Sequence, residues 1–486
     1  MTTQRNVLEC TDVYKLGHLL QYPEGTDYIY SYLQARTDKK LPETVFFGLQ
    51  YYLTEYLAKR ISHFDVDKLV QIHEVILGPV RPAMLDKLYA LANLGYWPIS
   101  IKAVPEGTVV PVQNVLMTIT NTVPGFGWCV GFLESLLLKV WNTITVASYS
   151  LRLRRLVNAF AEATCDDFSH LPFQVHDFGY RGVSSEETAE LAGAAHLLNF
   201  YGSDTVPAVR MLMKYYDAHF PIALSVPATE HSVMCSTGPG GEFDAFERLM
   251  FRTYPDGIVS IVSDTYDLWR VLTQYVPRLG RRILQRNGKV VFRPDSGDPV
   301  KVICGDPTAA PGTPQHRGAL NILWDTFGGT VNSKGYRVLD PHVGLIYGDG
   351  FFFERFEEVL GQMKANGFAS SNLVVGIGGL LLQAHTRDEL GFAIKATFAV
   401  IDGEPVELFK DPVTDSKKRS HKGRLALHLE DGEWVTKQGV SESEEKNGHL
   451  VEVYRDGWIR KLQSLDEIRS RIDVSTGLRP LELVAA

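Results

Sequence analysis

Gln174-Val175-His176 runs into Asp177-Phe178-Gly179-Tyr180-Arg181, and this passage sets the pattern for the chain between Phe173 and Ala396. A short apolar run ends in a polar or glycine-rich cluster, and the succession recurs. Leu197-Leu198-Asn199-Phe200 leads to Gly202-Ser203-Asp204, and Ile222-Ala223-Leu224 to Ser225-Val226-Pro227-Ala228-Thr229-Glu230-His231. Val259-Ser260-Ile261-Val262 ends at Ser263-Asp264, and Val290-Val291-Phe292 at Arg293-Pro294-Asp295-Ser296-Gly297. Leu345-Ile346-Tyr347 ends at Gly348-Asp349-Gly350, and Leu373-Val374-Val375 at Gly376-Ile377-Gly378-Gly379. Buried parallel strands read as apolar runs, with helices carrying the chain back between them. The expected fold is α/β, a (β/α) barrel-like domain. In such a domain the C-terminal strand ends meet on one face, where active sites sit.

Around that core the chain divides into three expected stretches: 1–150 and 397–486 as two parts of one mixed α+β domain, and 151–396 as the barrel-like domain. Ile99-Ser100-Ile101 and Val115-Leu116-Met117-Thr118-Ile119 read as strands, and the leucine spacing from Tyr149 to Ala163 as a helix. Ser184 and Ser185 before Glu186-Glu187 mark a helix start. Asp264 is expected to open another helix, and Gly350 to precede one at Phe351 to Lys364. Gly305 to Gly318 reads as an irregular surface insertion. After Ala396 a β-rich tail begins with Thr397-Phe398-Ala399-Val400 and the Asp402-Gly403 turn.

With 486 residues the chain exceeds one ordinary core. Its 45% hydrophobic and 22% charged content is that of a globular protein in water. A net charge of -8 gives no reason to expect a nucleic-acid partner. Cys10, Cys129, Cys165, Cys235 and Cys304 lie far apart without a C-x-x-C pair, so neither zinc nor a disulfide framework is indicated. A cytoplasmic location is expected, with no membrane partner. The apolar stretch Val130 to Trp141, broken by Glu134 and Lys139, reads as too short and too charged to span a bilayer.

Asp177, Asp204, Asp264, Asp295 and Asp349 each follow an apolar run. One such Asp is usually a helix cap. Five at equivalent places can instead bind ribose hydroxyls, accept an amide N–H, or hold Mg²⁺ through water. Arg293 lies between a strand and Pro294-Asp295, where a fork of donors suits phosphate or carboxylate. Arg181, Arg387, Lys395 and Lys418 are further candidates. The run Lys417-Lys418-Arg419-Ser420-His421-Lys422 is either a solvated loop or a clamp for polyphosphate. Gly376, Gly378 and Gly379 let backbone N–H groups approach a phosphate, or simply make a tight turn. His231 is either structural or a nucleophile toward a phosphoryl group, with Asp264 as its orienting carboxylate. Phe178 is a packing residue or a stacking platform for a flat heteroaromatic ring.

His176-Asp177-Phe178-Gly179-Tyr180-Arg181-Gly182-Val183-Ser184-Ser185, Ser225-Val226-Pro227-Ala228-Thr229-Glu230-His231-Ser232 and Arg293-Pro294-Asp295-Ser296-Gly297 resemble signatures of the nicotinamide phosphoribosyltransferase family. Thr11-Asp12-Val13-Tyr14-Lys15, Tyr347-Gly348-Asp349-Gly350, Thr386-Arg387-Asp388 and Phe409-Lys410-Asp411-Pro412-Val413 extend the resemblance over nearly the whole chain. It implies the irregular (β/α) barrel of type II phosphoribosyltransferases plus a discontinuous mixed domain, in a homodimer with shared active sites. The implied reaction joins nicotinamide and phosphoribosyl pyrophosphate, giving nicotinamide mononucleotide and pyrophosphate on the salvage route to NAD. Mg²⁺ would come mainly with the pyrophosphate, with no metal ligand assigned in the protein. ATP hydrolysis would be coupled through phosphorylation of His231.

In that scheme Phe178 stacks on the pyridine ring opposite Tyr14 of the second subunit, Asp204 accepts the carboxamide N–H, and Ser260 lies near the amide. Arg181 and Arg293 line the base and phosphate pocket. Asp295 and Asp349 hold the ribose hydroxyls, Gly378 and Gly379 the 5′-phosphate, and Arg387, Lys395 and Lys418 the pyrophosphate. Asp12, Ser225 and Gly348 enter through their motifs. Ile377, Leu380 and Ala393 depart from the family's pattern and bear on affinity rather than reaction type. A nicotinate-using relative is the alternative, and a non-catalytic binding protein on the same scaffold the alternative of another class.

Overall fold

The computed structural model describes residues 6–37, 39–348, 350–410 and 420–481. These form two compact units. Unit 1 comprises Met1–Ser148, Met213–Ala218 and His385–Gly477, and unit 2 comprises Tyr149–Leu212, His219–Ala384 and Leu478–Ala486. The second major boundary therefore falls at 384/385 rather than at 396. The reason is a nine-residue strand, Ala393–Ile401, that pairs along its length with Thr26–Gln34 of unit 1.

In chain order the principal strands of unit 1 begin with β1 (Thr26–Gln34), β2 (Ile99–Ala103) and β3 (Met117–Asn121). Unit 2 contributes β4 (Val175–Asp177), β5 (Val259–Val262), β6 (Val290–Arg293), β7 (Val343–Tyr347) and β8 (Leu373–Ile377). Unit 1 resumes with β9 (Ala393–Ile401), β10 (Glu404–Glu407), β11 (Val451–Arg455) and β12 (Trp458–Ile459). Its sheet has the order β10-β9-β1-β3-β2-β11-β12, and every pairing is antiparallel. The β9–β10 turn carries Asp402 and Gly403 with φ of 52° and 78°, the left-handed pair that a tight hairpin requires. The chain's tail is not wholly β, since a helix at Leu465–Thr476 follows with a capping box from Ser464 and Glu467.

Unit 2 holds a five-stranded parallel sheet in the order β4-β8-β7-β6-β5. Its strands are apolar because both faces are covered: all four residues of β5 are buried, as are Val290, Phe292, Leu345, Tyr347 and Val375. Of two expected strands that form no ladder, Ile222–Leu224 is reduced to a single bridge at Leu224. Leu197–Phe200 makes none, because the helix Glu186–His196 reaches into it: Leu197 keeps helical angles and its N–H bonds to Gly193. What remains are parallel one-residue bridges, Asp177 with Ser203, Gly202 with Leu224, and Ala228 with Ser260.

Ser185 caps the helix Glu186–His196 through the Thr188 N–H. The cap after β5 is Asp267, which accepts from Trp269 and Arg270, and not Asp264. The helix after Gly350 runs Phe353–Ala365. The insertion after Gly305 turns helical at Pro314 and continues to Phe327 with a break at Gly318. The stretch Val130 to Trp141 belongs to a continuous 37-residue helical run, Trp128–Thr164, long and apolar enough by composition to cross a membrane. Since 61% of its most apolar window is buried inside the protein, it matches the core helix of a globular fold.

Candidate active site

The carboxyl ends of β4 to β8 collect the unit 2 candidates. Asp177 ends β4 completely buried, and its carboxylate accepts the Gly179 N–H at 2.7 Å and the Ser203 hydroxyl at 3.1 Å. Burial pushes its carboxyl up, against those hydrogen bonds. It thus organises the turn and offers the site no free oxygen, while its carbonyl receives the Asp204 N–H at 3.0 Å. Asp204 itself is exposed, and its Oδ1 accepts the Ser225 hydroxyl.

Phe178 follows Asp177 with its N–H on the Ile377 carbonyl at 2.9 Å. Its ring occupies the space above Gly376, where a Cβ would come within 2.1 Å of ring carbons. A Cβ at Gly348 would lie 3.7 Å from the same ring and 2.6 Å from Asp295 Oδ1. Gly376 and Gly348 therefore shape the floor between Phe178 and Asp295 through the side chains they lack. The Arg293 guanidinium lies 5.9 Å from the Phe178 ring centroid, and Arg293 pairs with Asp295 at 3.3 Å.

Asp264 Oδ2 accepts from the Asp295 N–H at 2.8 Å and the Ser296 hydroxyl at 2.6 Å, fixing the turn that carries Asp295. It makes no hydrogen bond to His231 among the described residues. The neighbours of His231, first residue of the short helix His231–Cys235, are Thr265 Oγ1 at 3.4 Å from Nδ1 and Asp295 Oδ2 at 3.8 Å from Nε2. The expected His231–Asp264 pairing is thus replaced by one to the residue after Asp264 and one to the carboxylate that Asp264 positions.

Three polar atoms on β5, β6 and the turn between β5 and its helix are buried without a hydrogen-bond partner among the described residues: Ser260 Oγ, Asp264 Oδ1 and Arg293 Nε. Buried polar atoms are normally paired, so these three hold hydrogen-bonding capacity in reserve at the end of β5 and on β6.

Gly378 caps the four-residue helical turn Gly379–Leu382, and a Cβ at Gly379 would meet the Gly182 carbonyl at 2.8 Å. The turn after β8 and the one after β4 can approach this closely only with glycine at both positions. Arg181 is exposed in the intervening turn Tyr180–Gly182. Ile377 is buried at the end of β8, and Leu380 is exposed.

Unit 1 holds the other candidates. Tyr14 begins the helix Tyr14–Gln21, is 59% exposed, and meets His18 edge-on at 5.3 Å. Asp12 accepts the Ser135 hydroxyl. Arg387 is tied to Asp388 at 2.6 Å, and Lys395 stands opposite Tyr32 in β9. Ser420 accepts the Lys410 N–H at 3.0 Å. Ala393 is the first residue of β9. Asp349 and Lys418 lie outside the described residues.

Sequence reasoning did not single out Thr265, the Asp177 network, or Gly376 as the seat of Phe178. Only the last had a signal, a glycine inside an otherwise apolar strand. Among the described residues no group of three or more His, Cys, Asp or Glu is arranged to hold a metal ion.

The sequence profile of the nicotinate phosphoribosyltransferase family matches residues 173–457, and that of the nicotinamide phosphoribosyltransferase N-terminal domain matches residues 6–77. The chain is similar to a nicotinamide phosphoribosyltransferase of Acinetobacter baylyi, 40% identical over 97% of this chain and 98% of that one. A second, from Xanthomonas campestris, is 38% identical over 97% and 98%. The fold is similar to that of nicotinate-nucleotide pyrophosphorylase from Pyrococcus furiosus, with a TM-score of 0.58 at 15% identity over 99% of this chain and 98% of that one. With matches that run from end to end and a parallel sheet whose strand ends carry the family's motifs, the chain belongs to the family of nicotinamide phosphoribosyltransferases.

Proposed function

We propose that the chain transfers the 5-phosphoribosyl group from phosphoribosyl pyrophosphate to nicotinamide, releasing nicotinamide mononucleotide and pyrophosphate in NAD salvage. The observation that carries this reading is the Asp204 carboxylate, turned by Ser225 and anchored one bond from Phe178's strand. A carboxylate accepts the N–H of a carboxamide and repels the carboxylate of nicotinate. Phe178 provides the stacking face, and Ser260 Oγ lies buried with a hydrogen bond to spare. Asp295 faces the ribose, with Arg293 and Asp264 fixing its position. Positive charge developing at the anomeric carbon is stabilised by these fixed carboxylates. The close-packed Gly182 and Gly379 turns keep backbone N–H groups near the 5′-phosphate.

The further parts of the proposal are these. The three one-residue bridges support closure of the sheet into an irregular (β/α) barrel. ATP passes its terminal phosphoryl to a ring nitrogen of His231, releasing ADP, and water later returns it as phosphate. The imidazole, flanked by Thr265 and Asp295, supports that role. Mg²⁺ enters mainly as part of the pyrophosphate substrate, whose charge it neutralises. A homodimer supplies Tyr14 from the second copy, and Arg387, Lys395 and Lys418 are the cations for the pyrophosphate. Five cysteines, none of them in a disulfide, support a cytoplasmic setting.

The test is product formation from phosphoribosyl pyrophosphate with nicotinamide or nicotinate, with and without ATP. Turnover of nicotinamide in clear preference to nicotinate is expected, and turnover of neither would favour a binding protein. Replacing His231 by Ala should remove the stimulation by ATP and leave slow basal transfer; stimulation that persists would dismiss the phosphohistidine.

A further inference from the structure

Of the aspartates that end apolar runs, Asp177 has no part in the proposed chemistry, yet its side chain is fully buried. It lies where β4 passes from a full ladder to a single contact. On one side β8 pairs with all three residues of β4, and the Phe178 N–H that follows reaches the Ile377 carbonyl at 2.9 Å. On the other side, among the described residues, the neighbouring segment pairs with β4 only through the one-residue bridge of Asp177 with Ser203. There the Asp177 N–H donates to the Gly202 carbonyl and the Asp204 N–H to the Asp177 carbonyl, each at 3.0 Å.

The carboxylate supplies what the missing ladder does not. Its Oδ1 accepts the Gly179 N–H at 2.7 Å, inside the turn that carries Phe178. Its Oδ2 accepts the Ser203 hydroxyl at 3.1 Å, on the residue before Asp204. Ser203 Oγ in turn accepts the Thr205 N–H at 3.1 Å, so the loop is tied on both sides of Asp204. A Cβ at Gly193 would stand 3.3 Å from Asp177 Oδ2, so the helix Glu186–His196 passes close against the carboxylate and leaves it little room to move. A buried carboxylate is costly unless its oxygens are bonded, and here the two oxygens serve two different loops. The Arg293 guanidinium, 5.9 Å from the Phe178 ring centroid, is paired with Asp295 and lies outside this set of bonds.

We propose that Asp177 is a positioning residue for the base: one carboxylate holds the Phe178 turn and the Asp204 loop at a fixed spacing, so that the stacking face and the carboxamide acceptor are presented together. Asp177 touches no substrate atom and acts only through those two side chains. This rests on the readings of Phe178 and Asp204 given above.

The experiment is steady-state kinetics with nicotinamide and phosphoribosyl pyrophosphate varied in turn. Ser203→Ala removes the bond to Oδ2 and alters no charge in the pocket, Arg293 included. It should raise KM for nicotinamide about ten-fold, the cost of one hydrogen bond to a charged group, and KM for phosphoribosyl pyrophosphate by less than about two-fold. Asp177→Ala loses both bonds and should raise KM for nicotinamide about a hundred-fold. Asp177→Asn should recover at least about ten-fold of that loss, since its amide carbonyl can accept the Gly179 N–H while its NH2 donates to Ser203 Oγ. Phe178→Leu and Asp204→Ser are the reference variants. If these two raise KM for nicotinamide while a folded Ser203→Ala protein keeps it within about two-fold of wild type, the role of Asp177 is overturned alone. An equal rise in both KM values for Ser203→Ala would make the network a general support of the fold and overturn the role as well. If neither reference variant raises KM for nicotinamide, the reading of the base pocket fails and takes the role of Asp177 with it. Should Asp177→Ala not fold by circular dichroism, Ser203→Ala, which opens only the space of a hydroxyl, decides the matter without it.

Discussion

Every pairing in the seven-stranded sheet of unit 1 is antiparallel, so each edge receives strand starts and strand ends alternately. The five strands of unit 2 are parallel and deliver all their carboxyl ends to one edge. Asp177, Asp264, Arg293, Gly348 and Gly378 follow or close those ends, and among the described residues Asp264 Oδ1 and Arg293 Nε have no hydrogen-bond partner. The candidates of unit 1 are spread over distant elements, and Asp12 and Arg387 are satisfied by Ser135 and Asp388. A parallel sheet concentrates chemistry through its topology, whereas an antiparallel one spends its polar groups on its own stability.

This contrast can be broken experimentally. The largest effect is expected for Gly376→Ala, whose Cβ would lie 2.1 Å from the Phe178 ring. Displacing that ring should lower kcat/KM for nicotinamide by roughly two orders of magnitude. A loss below ten-fold, in steady-state kinetics, would mean that Phe178 does not set the geometry of the base. Next is Asp264→Ala, which removes the acceptor for the Asp295 N–H and the Ser296 hydroxyl. Losing about 1–3 kcal/mol of positioning there should cost roughly ten- to a hundred-fold in kcat/KM. Activity close to wild type would show that the Arg293–Ser296 turn holds itself.

For unit 1 the matching experiment is on stability. Glu106 is fully buried and accepts the Gln50 N–H at 2.7 Å. Burial pushes its carboxyl up to about 7, against that hydrogen bond. A raised carboxyl stabilises the fold fully below its unfolded value of 4.5 and loses that contribution as pH rises through about 7. The swing is on the order of 3 kcal/mol, at 1.36 kcal/mol per unit. Thermal melts should show Tm falling between pH 5 and 8, and Glu106→Gln should remove most of that slope. A slope unchanged in the variant would assign the pH dependence elsewhere. The smallest effect is Asp267→Ala, three residues from Asp264, which loses a helix cap and about 1 kcal/mol but no activity. Reduced turnover there would erase the distinction between the two aspartates.

Much of unit 2 was legible because its strands are apolar on both faces and end in abrupt polar clusters. The five strands of the sheet lie where those runs predicted them. Leu197–Phe200 misled because a buried helix end and a buried strand are equally apolar. Asp264 misled as a cap because Asp267 is also near the start of the helical pattern, and only the backbone angles separate them. The contact of His231 with Thr265 was invisible, since it depends on how two loops meet rather than on either sequence. The discontinuity of unit 1 was readable from its strand runs, but its boundary was not, because β9 begins without a break in composition. Residues 213–218, which also belong to unit 1, carry no separate signature.

The loops bearing Asp204 and Ser225 are attached to their neighbours by single bridges at Ser203 and Leu224, where the other side of the sheet has full ladders. Backbone amides there should exchange with solvent sooner than those of β6 and β7. Ordering that sector when the base arrives then draws on the affinity for it, so the grip on the carboxamide is adjustable by loop stiffness as well as by the groups that touch it.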